Sequence, residues 1–483
     1  MKHLVPTVFE RHPVDPGVVA RSLAGSRLRS FWADDVPGAE RYPALTADVD
    51  CDLAIVGGGY TGLWTALLAA RRDPGARIVL LEGAALGWAA SGRNGGFCEA
   101  SLTHGEENGR RRWPQEYDQL AFLGEQNLEA IGSTVAELGI DCDFERTGSL
   151  DVAIEPHQVD WLAEAPDDAG TDRLDRAAVR AEIASPTYLA GAWHRRSTAL
   201  VHPTKLAVGL ARAAAQAGVQ VHERTVVRSI GDADGGVPRG ARRRLDLVTD
   251  RARVRARRVV LATNAFPSML RRTRLMTVPV YDYVLMTEPL SADQLASVGW
   301  RHRQGVSDLA NQFHYYRLSA DNRILFGGYD AIYHAGRRVD PAYEDRPASY
   351  ERLAGHFFTT FPQLEGLRFT HRWAGAIDTS TQFCAFYGTA RAGRVAYAAG
   401  FTGLGVGATR FAGEVMLDLL DGEPTERTSL RMVREKPMPF PPEPLAALGI
   451  NATRWSLDRA DHRQGRRNLL LRGLDAVGLG FDS

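Results

Sequence analysis

The residues whose types and spacing could do chemistry begin with three glycines and an acid. In Gly57-Gly58-Gly59-Tyr60-Thr61-Gly62 the glycines follow the apolar run Asp52–Val56, and Glu82 comes twenty residues after Gly62, at the end of a second apolar run, Ile78–Leu81. Gly57 permits a tight turn, Gly59 lets the backbone approach a pyrophosphate with no Cβ between, and Gly62 lets the following helix pack against the strand. The positive end of that helix would face phosphates, and Glu82 is placed to accept hydrogen bonds from a ribose. The chemistry is dinucleotide binding, and the same physics serves NAD and FAD.

A second chemical stretch follows at Gly87–Gly96. Four glycines, two alanines and a serine in ten residues, Gly-Trp-Ala-Ala-Ser-Gly-Arg-Asn-Gly-Gly, cannot build a core. They can bring backbone N–H groups close to a flat ligand.

Positioning these residues needs a βαβ unit, with a small, apolar helix over Leu63–Ala70 between the two runs. Helical spacing recurs at Tyr117–Leu138, Lys205–Ala217 and Ala408–Leu420, and an extended piece covers Gly148–Ile154. Two strands, Asn311–Arg317 and Arg323–Asp330, are joined by Ser319–Asn322. Residues 1–50, with five prolines, read as an extended arm over the surface. Residues from 423 onward read as a proline-rich strap and one C-terminal helix, Arg454–Leu474.

Composition bounds the function. The chain has 483 residues, is 44% hydrophobic and 24% charged, and carries no formal net charge, so no global field attracts nucleic acid. The arginines of Arg239–Arg258 end in Arg-Val-Arg-Ala-Arg, whose period of two puts them on one solvated strand face. No apolar run approaches a membrane span, and a cytoplasmic location is expected. Cys51, Cys98, Cys142 and Cys384 form no Cys-x-x-Cys pair or metal-like cluster and read as buried free thiols. No catalytic triad or metal pair stands out. Lysine occurs only at Lys2, Lys205 and Lys436.

Together, Gly-Gly-Gly-Tyr-Thr-Gly and Ala-Ser-Gly-Arg-Asn-Gly-Gly resemble the D-amino-acid oxidase superfamily of FAD-dependent amine and amino-acid oxidoreductases, in the branch containing gamma-glutamylputrescine oxidase. The resemblance extends over residues 45–425. It implies a mixed α/β (α+β) fold: a Rossmann-like FAD-binding domain (51–105, 196–275, 365–422) with an inserted, discontinuous antiparallel-sheet substrate domain (106–195, 276–364). It places Ala90, Ser91, Arg93, Asn94, Gly95 and Gly96 beside the flavin ring, Val227 at the adenine and Thr263 in a second flavin contact. Gly400, Gly403, Leu404, Gly405 and Val406 would lie at the pyrimidine edge.

For the substrate, an amine or amino acid, the resemblance offers His314, Tyr315, Tyr316, Arg317, Tyr329 and Trp373. Alternation turns about half of these away, and Arg317 is the carboxylate partner of choice because a guanidinium pairs bidentately. FAD is expected to be non-covalent, since no cysteine or histidine stands at the positions that relatives use for a covalent link. The electron acceptor, oxygen or another, is left open, because residues 311–330 lack the lysine that relatives place near the flavin. A NAD(P)-dependent dehydrogenase and a flavin-binding subunit without turnover are the alternatives. Oligomeric state is open.

Overall fold

A computed structural model describes residues 4–164, 170–233, 244–422, 424–476 and 478–479. Arg239, Arg242 and Arg243 lie outside the described residues. Two sheets organise the rest. The smaller has eight strands, in the order 227–232, 245–249, 253–261, 49–56, 78–81, 220–222, with 395–399 also paired to 253–261 and 386–390 to 395–399. From 253–261 through 49–56 and 78–81 to 220–222, and at 395–399, the pairing is parallel. The expected alternation holds in the strand Arg253–Leu261, where Arg253, Arg255 and Arg257 are exposed and Val254 and Ala256 buried.

The helix Tyr60–Arg72 leaves the first strand of this sheet and is buried from Tyr60 to Ala70. A helix apolar on every side must be covered on every side. The helices Pro203–Gln216 and Ala408–Asp421 supply that cover.

The larger sheet has ten strands, in the order 27–28, 369–380, 277–287, 324–328, 314–318, 305–308, 149–153, 190–194, 171–174, with 332–333 beside 277–287. It is antiparallel except at two pairs, 27–28 with 369–380 and 305–308 with 149–153. Helix Pro347–Thr360 packs on it through Tyr350, Leu353 and Phe357. Residues 369–380, read from the sequence as nucleotide-binding, belong to this sheet. The long run Phe369–Ser380 pairs along the whole of Thr277–Thr287.

Two expectations are corrected. Residues 4–50 are no extended arm, because they form three short helices and an edge strand between their prolines, one of which starts a helix. Pro16 opens the helix Pro16–Leu23, with Asp15 accepting from Gly17 N at 2.6 Å as N-cap. Arg27–Leu28 adds an edge strand, and Phe31 and Trp32 are buried against Val284, Met286 and Trp373. The C-terminal region forms two helices, Leu445–Asp461 and Leu469–Ala476, instead of one. Gly465, at φ +75°, closes the first by donating its N–H to Ala460 O at 2.9 Å.

All four cysteines are buried and unpaired. Among the described residues no helix is long and apolar enough to cross a membrane, and no cluster of His, Cys, Asp or Glu is placed to hold a metal.

Candidate active site

A cavity of about 1040 Å³ is lined by residues of both sheets. Of the residues expected at a cofactor, Gly57, Gly59, Tyr60, Thr61, Glu82, Ala90, Ser91, Arg93, Asn94, Gly95, Val227, Thr263, Gly403, Leu404, Gly405 and Val406 all line it. Gly62, Gly96 and Gly400 do not, and their role is to let neighbours close up. A Cβ on Gly62 would lie 1.9 Å from Gly57 O, one on Gly96 2.2 Å from Val201 O, and one on Gly400 2.7 Å from Ser380 Cβ. Gly57 itself needs its positive φ of +113° to turn out of the strand.

Gly59 differs from these crowded glycines. A Cβ there would meet Ser91 Oγ at 2.9 Å and little else, so its missing side chain leaves space in the cavity. Ser91 Oγ accepts the N–H of Tyr60 at 2.9 Å, tying the second glycine stretch to the start of the helix. Glu82 accepts from Gly58 N at 2.7 Å, Ala84 N at 2.8 Å and Trp88 Nε1 at 3.1 Å, and burial pushes its carboxyl up. Two of these bonds fix the turn. The third comes from the half-exposed Trp88 ring.

Within Gly87–Gly96, Asn94 folds the loop on itself, donating to Ala90 O at 2.9 Å and accepting from Gly96 N at 2.8 Å. Arg93 donates to Trp88 O at 2.9 Å and Ala374 O at 3.0 Å and pairs with Glu344 at 2.5 Å. Its charge is therefore held already.

Only Tyr315 and Tyr329 of the expected substrate contacts line the cavity. Tyr315 lies between two glycines: a Cβ on Gly95 or Gly327 would come within 2.7 Å of its ring. Its hydroxyl donates to Asp282, which also lines the cavity and whose carboxyl burial pushes up to about 7.

The other expectations fail on geometry. His314 faces the opposite side of its strand, fully buried, with Nδ1 2.6 Å from Asp308 and Nε2 2.9 Å from His356 Nδ1. Tyr316 shares that side and meets the Tyr188 hydroxyl at 2.6 Å. Trp373 is buried and donates to Arg93 O at 2.8 Å.

Arg317 shares the alternating set of Tyr315 but is only 1% exposed, lying against Trp32 and Gly96. It donates to Val201 O at 2.8 Å, Leu318 O at 3.1 Å and Gly96 O at 3.4 Å. It is neither a carboxylate clamp nor a solvated charge.

Asp282 escaped the sequence reading, although an acid between Tyr281 and Tyr283 in a strand of valines and leucines was a signal. So did the C-terminal residues. Met438 and Phe440 of the strap, Ala446, Ile450, Arg454 and Leu457 of one helix, and Leu470 and Leu474 of the next all line the cavity. Glu99 and His104 line it as well; burial pushes Glu99 up to about 7 and pulls His104 down to about 4.

These residues fit a bound FAD. Asn264 Oδ1, Thr409 Oγ1 and His104 Nδ1 are buried in the lining with no partner among the described residues, and buried polar atoms of that kind are ordinarily satisfied. With the open space at Gly59 they match a long ligand carrying polar groups at several points.

The FAD dependent oxidoreductase family, DAO, matches residues 52–419. Gamma-glutamylputrescine oxidoreductase of Escherichia coli (strain K12) is 31% identical over 410 residues, covering 82% of this chain and 89% of that one. The probable oxidoreductase OrdL of Haemophilus influenzae is 28% identical over 83% of this chain and 90% of its own length. Glycine oxidase from Geobacillus kaustophilus shares the fold, with a TM-score of 0.62 at 21% identity over 80% of this chain and 99% of that one. Because the match runs from the strand before the first glycine turn to the helix after Gly407, the chain belongs to the DAO family of FAD-dependent oxidoreductases.

Proposed function

We propose that this oxidoreductase oxidises the C–N bond of an amine or amino acid to an imine, which water hydrolyses to an aldehyde or keto acid. The FAD dependence of the family removes the NAD(P) alternative that the first glycine turn left open. In this reading the eight-stranded sheet and its helices hold the cofactor, and the ten-stranded sheet is the floor of the substrate site. Bound FAD supplies the hydride acceptor, at N5. The cofactor stays dissociable: none of the four cysteines lines the cavity.

The observation that carries the reading is Asp282 with Tyr315. An amine reaches the site as an ammonium ion and must lose its proton before it can be oxidised. A carboxyl near 7, held by the Tyr315 phenol and two backbone hydrogen bonds, is matched to that transfer at neutral pH. Tyr315, with backbone hydrogen bonds from Tyr283 and Gly328, stabilises the charged form of Asp282 and fixes the direction of its carboxylate. Phe313, Val280 and the C-terminal apolar residues line the same cavity as the pair and give it an apolar wall.

The test is anaerobic. Protein purified yellow should bleach on adding a substrate amine, and the parent amine should yield an aldehyde or keto acid. A flavin that no amine or amino acid bleaches would make the protein the non-catalytic subunit. Oxygen uptake against dye reduction then separates the two acceptors.

A further inference from the structure

The family match ends at residue 419, yet one wall of the cavity comes from beyond it. Helix Leu445–Asp461 is fastened to the larger sheet by Asp461, which accepts from Asn311 N at 2.9 Å, Asn311 Nδ2 at 2.7 Å and Gln312 N at 3.2 Å. Ala446, Ile450, Thr453 and Leu457 recur at helical spacing and line the cavity, and one cation, Arg454, stands among them.

The surroundings of Arg454 are out of charge balance. Its nearest acid, Asp330, is 2% exposed and already paired with Arg352 at 2.7 Å and Arg346 at 3.1 Å, with Ser349 Oγ donating at 2.6 Å. Arg454 Nη1 remains 3.9 Å away, beyond hydrogen-bond reach. Its Nε is buried with no partner among the described residues. Three guanidinium groups thus surround one carboxylate, and Arg454 is the one that lines the cavity. Arg93, the other arginine in the lining, is held by Glu344 and two carbonyls. The Arg454 side chain is 34% exposed while its Nε is buried without an acceptor among the described residues, and an arriving carboxylate supplies both an acceptor and the opposite charge.

We infer that Arg454 anchors a carboxylate of the substrate, and that the apolar strip beside it takes the substrate's apolar body. The inference rests on the amine-oxidising reading and narrows it to amino acids with apolar side chains, with the anchor supplied by a segment outside the family match.

The experiment uses FAD-loaded parent, Arg454→Gln and Arg454→Lys. Butyrate, a carboxylate that cannot be oxidised at a C–N bond, is titrated by calorimetry and by the shift of the flavin spectrum. Matched pairs, both enantiomers of an apolar amino acid and its decarboxylated amine, are then tested for anaerobic bleaching. Arg454→Gln should weaken butyrate at least tenfold, and Arg454→Lys less, with FAD content unchanged. The amino acid should need at least tenfold more for half-maximal bleaching, and the amine should change less than twofold. No butyrate binding by the parent, equal binding by parent and Arg454→Gln, or an equal loss for acid and amine overturns the inference. Arg454-dependent butyrate binding without bleaching by any compound upholds the anchor and fells the amine-oxidising reading instead.

Discussion

The Tyr315 hydroxyl donates to Asp282 across the strand Ile324–Gly328, which lies between their own strands, and the tyrosine ring fits where Gly95 and Gly327 carry no side chain. The pair links the larger sheet to the glycine loop at the cavity wall.

Asp282 sets an expected pH profile. Its carboxyl ionises near 7, so the rate of anaerobic bleaching should rise with pH through about 7 and level off above it. Asp282→Asn should remove that limb and lower the rate by a factor on the order of 10². Tyr315→Phe should move the limb to higher pH, because the lost hydrogen bond favours the ionised form. A limb that survives in Asp282→Asn would assign it to another group.

Gly59→Val should purify without FAD while its circular dichroism stays close to the parent's. The added Cβ meets only Ser91 within the protein, at a glycine that lines the cavity. Stoichiometric flavin in the variant would show that the cofactor does not pass over Gly59.

Acid precipitation should leave the yellow colour in the supernatant. Colour in the pellet would mean a covalent bond, and His104, the histidine in the lining, would be the residue to sequence for it.

Arg317→Leu should cost stability and spare affinity. Deleting a buried guanidinium strands the carbonyls of Val201 and Gly96, a loss of about 1.5–3 kcal/mol per charged hydrogen bond in urea unfolding. The half-saturating substrate concentration should remain within twofold of the parent's.

His202 is 2% exposed, and burial pulls its imidazole down to about 4. The unfolded chain takes that proton near 6.5 while the fold resists it until about 4, so the stability it contributes is full above 6.5 and drains away as pH falls toward 4. The urea midpoint of the apoprotein should fall less between pH 7 and 4.5 in His202→Gln than in the parent. Asp282, Glu99 and Asp378, held near 7, act with the opposite sign over the same range, which is why the difference between variant and parent is the quantity to read.

Local signals were legible in the sequence wherever one residue type answers one geometric demand. The first glycine turn, the second glycine stretch and the exposed arginines of Arg253–Arg257 appear where their chemistry puts them. Substrate-side residues were legible only to the level of the strand. Period two separates His314 and Tyr316 from Tyr315 and Arg317, but nothing local tells that Trp32, nearly 300 residues earlier, lies against Arg317. The C-terminal wall was unreadable for a related reason. Ala446, Ile450 and Leu457 look like any buried helix face, and whether they cover a core or a cavity depends on where Asp461 docks.

That docking joins both ends of the described chain. Val5 N–H donates to His462 O at 2.9 Å, and His462 Nε2 meets Glu10 at 2.9 Å, directly after the helix that Asp461 fastens. During synthesis, residues 52–419 are finished before this clasp can form. At the ~5–20 residues per second of translation, roughly forty further residues take a few seconds. Until the clasp closes, the wall that carries Ala446, Ile450 and Leu457 has no attachment to Asn311 or Gln312, so this side of the cavity is completed only after residues 52–419 have been synthesised.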